Sequence, residues 1–393
     1  MKQIVMGIGS LASPQWLPGA DSQADGPRMH LDLGPEHPSR TGLLLIQAQC
    51  RDDAGTPRIE SARVQPGFSH RSAEKLFEVR DYRQVLVLAD RHDWQAPFIG
   101  ELGAALVCEQ LMGLVPPPRA TWLRTLLSEQ ARIASHLAHL SFVGFRLQDE
   151  ALVRRVRQLR EQGRELMLAV SGNRVHPMLN RLGGLSTDLD SSQVEAFVPW
   201  AAEAGECARE LARAVVDSAL GRGIAILDRA TINGYSLSGP VAAASGVRTD
   251  CRIQTPYLAH AQLQDELLAH EILREQGDAA SRLLALADQV ITSHVLIEAC
   301  ARHLQSVTGP VDTKLSKNIK VPDSEGYLAI EAPWGMAGWF LVSRSERTPW
   351  RLKMRTPGFA NVQALQMALQ GCPLDEADVA IASLGWTSGD LDK

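Results

Sequence analysis

The sequence predicts an α+β fold in which a central bundle of long helices lies between two small β-sheets. Two observations lead to this fold class. At 393 residues the chain is long enough to bury a large core, with room for two or three domain-sized units. Long stretches with apolar residues at spacings of three and four occupy the middle, and short apolar runs between turn residues occupy both ends.

The N-terminal region, residues 1–72, is predicted to be rich in β-strands. Between Leu43 and Phe68 the apolar residues come in short runs. The runs are interrupted by residues that favour turns, namely Asp52, Gly55, Pro57, Pro66 and Gly67. This pattern is typical of a small sheet whose strands are joined by tight turns.

Residues 73–310 are predicted to form the helical core. Each helical stretch carries apolar residues at the spacing of one buried helix face. The stretches are Ala73–Asp90, Pro97–Leu114, Trp122–Phe142, Leu147–Val170, Gln193–Leu220 and Ala279–Leu304. The segment 221–256 is rich in Gly, Ser and Thr, and it is predicted to be an irregular or stranded excursion from the bundle.

Residues 311–393 are predicted to form a second β-rich region. Three segments alternate between turn signals, as strands do. These segments are Tyr327–Ala332, Gly338–Val342 and Trp350–Met354. A short helix is predicted to follow over Asn361–Ala368.

Composition and charge argue against several classes of function. The formal net charge of −5, without a basic tract, gives nucleic acid no footprint. No stretch approaches about 18 consecutive apolar residues, so membrane association is expected to come through partner subunits. The first ten residues are interpreted as an ordinary N-terminus. The six cysteines are scattered without a CxxC pair, which favours buried thiols in a reducing compartment and no metal site on this chain.

Several longer motifs follow one another along the chain. The first six are LGPEHPSRTG at Leu33–Gly42, GFSHRSAEKL at Gly67–Leu76, YRQ and DRHDW within Tyr82–Trp94, EQARIASHL at Glu129–Leu137, GNRVHPMLNRLGG at Gly172–Gly184 and SGVRTDCR at Ser245–Arg252. The C-terminal region adds EAPWG at Glu331–Gly335, LVSRSERTPWRLKMRTPGF at Leu341–Phe359 and DVAIASLGWTSGDLDK at Asp378–Lys393.

In this order the motifs resemble the large electron-transfer subunit of complex I, NADH-quinone oxidoreductase, known as the D-type or forty-nine-kilodalton subunit family. The resemblance runs from about Leu31 to Lys393. That family shares the fold of the nickel-iron hydrogenase large subunits, and the segment Gly172–Gly184 is closer to the energy-converting hydrogenase branch. The resemblance also implies that the N-terminal and C-terminal motif loops meet near Arg91, beside a cavity.

The hydrogenase branch would hold nickel and iron with two cysteine pairs. Here the two corresponding stretches, residues 91–96 and 384–389, contain no cysteine. Thiolates are the ligands that bind such soft metals, so the sequence excludes hydrogen activation.

Two positions next to the partner's terminal iron–sulfur cluster are retained. The resemblance places Arg91 near that cluster and His176 on its other side, where a cation or hydrogen-bond donor stabilises the reduced cluster. The alternative is a purely structural role, in which Arg91 pairs with Asp90 or Asp93 and His176 caps the turn before Pro177.

The quinone-binding positions of the family are altered. Thr41 stands where the family has a histidine that bonds the quinone and delivers a proton, and Trp94 stands where it has a tyrosine. Arg146 aligns with the aspartate that supports the histidine. Threonine and indole groups can donate hydrogen bonds, but they do not exchange protons near neutral pH. The usual proton-delivering trio is therefore predicted to be missing.

Three histidines in the matched segments are candidates to replace the lost donors. His37 and His70 belong to family motifs in their own right, which favours structural roles, although His37 is retained as a residue of the cofactor-binding region. His92 lies between Arg91 and Trp94, in a loop expected to face the cavity, and it is the candidate for a catalytic role; the alternative is a solvated loop histidine.

The resemblance implies a subunit of a membrane-associated NADH:quinone oxidoreductase-like complex. Electrons would arrive from the iron–sulfur cluster of a small partner subunit and reduce a quinone in a modified cavity, and this chain would bind no cofactor alone. A thirty-kilodalton-type subunit and membrane-arm subunits are further expected partners, with the complex at the cytoplasmic face of the membrane. Two alternatives remain: a docking scaffold without chemistry, and a hydrogenase-related complex that reduces another acceptor.

Overall fold

A computed structural model describes residues 2–7, 28–33, 36–41 and 44–393, and the side chains of residues 33, 36–39 and 44–393. The N-terminal sheet has the strand order β2-β1-β3-β4. Its strands are β1 Lys2–Gly7, β2 Arg28–Asp32, β3 Leu45–Asp53 and β4 Thr56–Gln65. Strands β1 and β2 are parallel, and the other neighbours are antiparallel. The predicted β-rich start of the chain is confirmed.

The helical middle of the chain contains the predicted long helices and several shorter ones. The helices before the excursion are α1 Ala73–Phe77, α2 Tyr82–Ala89, α3 Pro97–Met112, α4 Pro118–Arg146, α5 Glu150–Ser171 and α6 Ser191–Ser218. Those that follow are α7 Arg229–Gly234, α8 Gly239–Ala243, α9 Cys251–Gln254, α10 Gln264–His270 and α11 Ala279–Leu304. A short antiparallel pair, β5 Asn180–Arg181 and β6 Gly184–Leu185, lies between α5 and α6.

Two helix predictions need correction. The stretch Ala73–Asp90 is not one helix, because Asp81 starts α2 with a capping box in which its carboxylate accepts the backbone N–H groups of Arg83 and Gln84. The segment 221–256 contains three short helices, α7 to α9, and no strand. Asp228 and Asp250 cap two of these helices, so local carboxylate caps outweigh the low helix preference of Gly, Ser and Thr.

Four long helices form the bundle, with α11 packed between α4 and α6, and α5 completing the group. Helix α11 is long and apolar enough to cross a membrane by length and composition, but 61% of its most apolar window is buried inside the protein. Such a helix is equally typical of a protein core. Its neighbours in the bundle account for its apolar surface.

A buried ion cluster connects the bundle to the C-terminal sheet, where Arg132 donates to the backbone carbonyls of Glu331 and Ala332 at 2.7 and 3.0 Å. The carboxylate of Glu129, on α4, accepts hydrogen bonds from Arg132 at 3.2 Å, Arg252 at 2.9 Å, His260 at 3.0 Å and Ser293 at 2.6 Å. These donors come from α4, α9, the turn before α10, and α11. The cluster therefore joins four separate parts of the chain through one carboxylate.

The C-terminal region begins with the antiparallel sheet β7-β8-β9. Its elements are β7 Ser324–Ala332, β8 Gly335–Ser343, β9 Arg351–Arg355, α12 Pro357–Ala368, α13 Ala377–Leu384 and α14 Ser388–Leu391. The three predicted strands and the helix α12 are confirmed. Strands β7 and β8 and helix α12 are longer than predicted, and β9 has the predicted length but begins one residue later. Helices α13 and α14 were not predicted. The apolar residues of α13 are nearly continuous and show no single helical face, and α14 is too short to show a helical period.

The two ends of the chain meet in space. Backbone hydrogen bonds join Ile59 of β4 to Gly371 and Cys372, at 2.7 and 2.9 Å. One hydrophobic core runs from Leu33 to Leu391 across all three predicted regions. Because this core crosses residues 72 and 310, the division of the chain into three regions at these residues stays a prediction.

Candidate functional site

An open cleft of about 510 Å³ lies where the N-terminal and C-terminal loops converge. Its lining residues come from four separate motifs of the sequence. They are Phe68, Ser69, His70, Arg71, Arg91, Trp94, His176, Ser388 and Gly389. The expected meeting of the terminal motif loops near Arg91 is confirmed by this arrangement.

Arg91 and His176 converge on the carboxylate of Asp90, at the end of α2. Arg91 Nη1 donates to Asp90 Oδ1 at 2.9 Å, and His176 Nδ1 contacts the same oxygen. The backbone N–H of Met178 donates to Asp90 Oδ2 at 3.3 Å. Asp90 is fully buried, whereas the Arg91 and His176 side chains are 38% and 25% exposed towards the cleft. The structural pairing expected for Arg91 thus exists, and it coexists with exposure to the cleft.

Burial dominates the electrostatics of Asp90. It raises the pKa of the carboxyl group, while the neighbouring His176 and Arg91 act in the opposite direction. The pKa of Asp90 is therefore set by a balance between desolvation and attraction to its neighbours. A change of charge in front of the cleft would shift that balance.

The loop after α5 holds the His176 ring in place. The side-chain oxygen of Asn173 accepts the backbone N–H groups of Val175 and His176, at 3.0 and 3.1 Å. Pro177 then directs the chain into β5. Asn173, and not His176 as the structural alternative expected, therefore caps this Asx-type turn, and the His176 ring reaches the cleft.

The opposite wall of the cleft is the loop 67–71. The carboxylate of Asp392 accepts the backbone N–H of Gly67 at 2.8 Å and of Ser69 at 2.6 Å. On the same C-terminal segment, Gly389 lies directly against the His92 carbonyl, where a Cβ would not fit. The C-terminal residues therefore fix both walls of the cleft.

Glu101, on α3, supports the hairpin below the cleft. Its Oε1 accepts the backbone N–H groups of Leu179 and Asn180, at 3.0 and 3.2 Å, while its Oε2 has no hydrogen-bond partner in the described part of the chain. Burial and the nearby Asp90 raise the pKa of Glu101 to about 8. A largely protonated carboxyl group at neutral pH follows from these surroundings.

Trp94 separates the cleft from a second, smaller pocket between α4 and α5. Its ring is half-buried, and its indole N–H has no acceptor among the described residues. The side chain is thus a free hydrogen-bond donor at the position that the resemblance assigns to the quinone site.

His92 does not face the cleft, contrary to the sequence-based expectation. Its ring is buried, with Nδ1 at 2.6 Å from the Ala89 carbonyl and an edge contact to Trp339 at 5.6 Å. Nε2 lies 3.7 Å from Asp390 Oδ1. Burial lowers the pKa of His92. Gly100 of α3 has no side chain, and this leaves room for the His92 ring in the core. The geometry therefore gives the expected catalytic role of His92 no support.

His37 is also buried, and it fixes the turn that contains Thr41. Its Nδ1 accepts the Ser39 backbone N–H at 3.2 Å, and its Nε2 donates to the Asp378 carbonyl at 3.1 Å. Burial lowers its pKa to about 4. These bonds support the structural role. Thr41 ends the 3₁₀ turn Pro38–Thr41, but its side chain lies outside the described part of the chain.

Arg146, the residue in place of an aspartate, is compensated by a carboxylate from elsewhere. Its Nη1 lies 3.5 Å from Asp378 Oδ2. The backbone carbonyl of the same Asp378 is the acceptor for His37. The acidic group at this corner therefore comes from α13 and not from the end of α4.

Two residues of the cleft were underestimated from the sequence. His70 is exposed on the cleft wall, although its motif favoured a structural role. Arg71, next to His70, is the second arginine of the cleft after Arg91. Their position in a turn after a β-strand gave a weak signal, since such loops often carry functional side chains.

Comparisons with known proteins identify the family. The family model described as "Respiratory-chain NADH dehydrogenase, 49 Kd subunit" matches residues 151–318 and 310–393. An NADH-quinone oxidoreductase D-type subunit of Salinispora tropica is 39% identical, with 95% of this chain and 96% of the relative covered. The corresponding protein of Streptomyces coelicolor is 38% identical, over 95% of this chain and 98% of its own. The chain belongs to this family of respiratory-chain NADH dehydrogenase subunits.

A solved structure extends this similarity to the fold. A chain of the membrane-bound sulfane sulfur reductase, an archaeal respiratory membrane complex, is 26% identical and has a TM-score of 0.82. The match covers 92% of this chain and 97% of that chain. The predicted hydrogenase-like α+β fold agrees with this match. As a member of the D-type family, the chain is a subunit of a complex I-like oxidoreductase.

Proposed function

We propose that this D-type family member passes electrons from the iron–sulfur cluster of a small partner subunit to a quinone in a modified cavity. The observation that carries the proposal is the convergence of Arg91 and His176 on one buried carboxylate, Asp90, at the wall of an open cleft. A cluster docked against this wall would supply single electrons.

Arg91 places a partly exposed cation on the cleft wall, and such a cation raises the potential of a nearby cluster by stabilising its reduced form. Asp90, whose pKa is raised by burial, is the carboxylate of this wall that can take up a proton. An added electron nearby favours proton uptake by Asp90, because the new negative charge repels the carboxylate. Asp90 can therefore link electron arrival to proton binding.

The part of the cavity that would bind the electron acceptor has fewer proton-donating side chains than the family pattern. Trp94 offers an indole N–H that orients a carbonyl oxygen but releases no proton. The imidazoles of His70 and His176 are the exposed groups on the cleft wall whose residue type exchanges protons near neutral pH. We assign proton delivery to one of these two histidines and hydrogen bonding of the acceptor to Trp94.

The proposed assembly follows the family. A small iron–sulfur subunit would cover the cleft, while a thirty-kilodalton-type subunit and membrane-arm subunits would bind elsewhere. The complex would lie peripherally on the cytoplasmic face of the membrane. The names of the relatives, NADH-quinone oxidoreductase subunits, and the membrane-bound respiratory complex among the solved structures support this assignment.

A second candidate keeps the electron path but changes the acceptor. It is favoured by Trp94 at the tyrosine position and by the similarity to a chain of a sulfane sulfur reductase, which is named for a different acceptor. A scaffold without chemistry is the third candidate, and the open cleft beside Arg91 and His176 speaks against it.

Electron paramagnetic resonance on the purified complex separates these candidates. The iron–sulfur cluster is reduced first, a soluble quinone is added, and the signal is followed on the turnover timescale. We expect rapid, inhibitor-sensitive reoxidation. A cluster that stays reduced would refute quinone reduction, and subsequent reoxidation by a sulfur compound would then establish the second candidate over the scaffold.

The double variant Thr41→His with Trp94→Tyr tests whether the cavity is a weakened quinone site. Restoring the family residues should raise the rate of quinone reduction in the intact complex. Trp350→Tyr is a matched control, because Trp350 is 64% exposed and remote from the lining of the cleft. An assembled double variant with no gain in rate would contradict the assignment of these positions.

A further inference from the structure

A second pocket lies behind Trp94, between α4, α5 and the loop that precedes His176. Its cavity of about 50 Å³ exceeds the ~10–15 Å³ that a single water molecule needs, and it suits a small polar group. Its apolar floor consists of Pro97, Phe98, Ala131, Ala134 and Met167. Trp94 is the wall that this pocket shares with the cleft.

Three arginines line this pocket, namely Arg160, Arg164 and Arg174. We call it the arginine pocket. Glu161 lies 3.8 Å from Arg164 Nη1 and also contacts Arg174, so one carboxylate serves two arginines. Arg160 makes no ion pair with any residue whose side chain the structure describes. Three positive charges thus face one negative charge among the described side chains.

The other arginines of α5 show that this imbalance is confined to the pocket. Arg154 pairs with Glu150, Arg155 with Glu210, and Arg157 with Glu36. These pairs lie on the outer faces of the helix. Arg160 is the exception on α5, and its half-buried position increases the cost of leaving a cation unpaired.

Burial and the neighbouring Arg164 lower the pKa of Arg160 to about 10. The guanidinium therefore stays charged at neutral pH, although its surroundings disfavour the charge. An anion inside the pocket would relieve both the desolvation of Arg160 and its repulsion by Arg164.

We propose that the arginine pocket binds a small oxyanion, a carboxylate or a phosphate group. Guanidinium groups bind such anions through paired N–H donors in a fork geometry that matches two oxygens. Gln130 has only one amide N–H left for a ligand, since its Nε2 already donates the other to the Gly163 carbonyl at 3.1 Å. The arginines therefore supply the charge and most of the donors, and the apolar floor limits the ligand to a small head group.

Two sources can supply this oxyanion. One is a free ion or the head group of a small molecule that enters beside Trp94. The other is a carboxylate side chain of a partner subunit that binds over the neighbouring cleft. This inference goes beyond the proposed electron transfer and does not depend on it, because anion binding is measured without turnover.

Calorimetric titration with inorganic phosphate at low ionic strength tests the proposal, with the full-length chain and the assembled complex in parallel. We expect phosphate to bind the full-length chain with one site per chain. Arg160→Gln should weaken this binding at least about ten-fold, as loss of a charge-assisted donor pair does. Arg154→Gln is the control on the same helix, and its effect should stay below about two-fold.

The assembled complex identifies the source. Binding of phosphate to both samples would support a site for a free or small-molecule oxyanion. Binding to the chain that disappears in the complex would support a partner carboxylate as the occupant, and Arg160→Gln should then weaken assembly of the complex as well. Absence of binding to the chain, or equal affinity in the Arg160→Gln and Arg154→Gln variants with unchanged circular dichroism, would overturn the proposal.

Discussion

Two buried carboxylates in this protein pair with arginine and histidine, but their surroundings give them opposite behaviour. Glu129 in the helical bundle accepts four hydrogen bonds, and its two arginine partners are 0% and 2% exposed. Attraction to these partners outweighs burial and lowers its pKa well below the usual range. Asp90 at the cleft is equally buried, yet Arg91 is 38% exposed, and the pKa of Asp90 is raised.

The difference teaches that the exposure of the partner decides whether a buried carboxylate is locked or adjustable. Solvent weakens the attraction between Asp90 and the exposed Arg91, so desolvation wins and the carboxylate can gain a proton. At Glu129 no solvent intervenes, and the charge is permanent. A structural ion pair and a carboxylate with a raised pKa thus arise from the same residue types.

The largest expected effect is at the locked carboxylate. Glu129→Gln removes the charge that compensates Arg132 and Arg252, and we expect a loss of about 3–5 kcal/mol in the free energy of unfolding. Chemical denaturation of the full-length chain measures it. Glu150→Gln at the surface pair with Arg154 is the control and should cost under about 1 kcal/mol. Equal losses in both variants would remove the distinction between the two kinds of pair.

The second prediction concerns Glu101, a buried carboxyl group with hydrogen-bond donors but no cationic partner among the described side chains. Its pKa in the folded state, about 8, lies above the ordinary value of 4.5, so the folded chain binds more protons than the unfolded chain between these values. Its contribution to stability is therefore full below pH 4.5 and is lost as the pH rises towards about 8. Glu101→Gln should flatten this decline, which amounts to at most about 1.4 kcal/mol per pH unit.

Denaturation of the wild type and Glu101→Gln at a series of pH values between 4.5 and 8 checks this prediction. The matched control is Glu60→Gln, since the Glu60 side chain is exposed to solvent on β4. A slope that is the same in wild type and Glu101→Gln would show that Glu101 is ionised throughout, like Glu129.

The third prediction tests the adjustable pair through the cluster that it is proposed to face. Arg91→Gln should lower the midpoint potential of the partner's cluster by on the order of 50 mV, the size expected for removing one partly screened charge about 10 Å away. A redox titration followed by electron paramagnetic resonance measures it. Arg181→Gln is the control, because Arg181 hydrogen-bonds backbone carbonyls outside the cleft. Equal potentials in both variants would mean that Arg91 does not face the cluster.

The smallest expected effect is local and concerns the cleft wall. Asp392→Asn weakens the acceptor for the Gly67 and Ser69 N–H groups, and we expect about 1–2 kcal/mol less protection of these amides. Hydrogen exchange read by mass spectrometry over residues 67–71 measures it. Asp52→Asn, which caps the exposed turn at Gly55, is the control. Unchanged exchange at the loop would show that the C-terminus does not hold this wall.

The sequence by itself determined the elements whose information is local. Apolar spacing gave α3, α4, α5, α6 and α11 to within a few residues, because each helix buries one face and the periodicity records it. The motif order gave the family and the residues Arg91, Trp94 and His176 of the cleft. The break at Asp81 and the short helices of 221–256 were missed, since single carboxylate caps decide them.

Only the tertiary structure decided which way the side chains of the motif loops face. His92 and His70 lie in similar loops of the sequence, yet contacts with Trp339 and Asp390 bury the first, while the Asp392 clamp on Gly67 and Ser69 leaves the second on the cleft wall. The arginine pocket likewise depends on α5 and the loop at Arg174 meeting behind Trp94. Such contacts join residues far apart in the chain, and no local pattern encodes them, because burial and charge balance are set by the partners that the fold brings together.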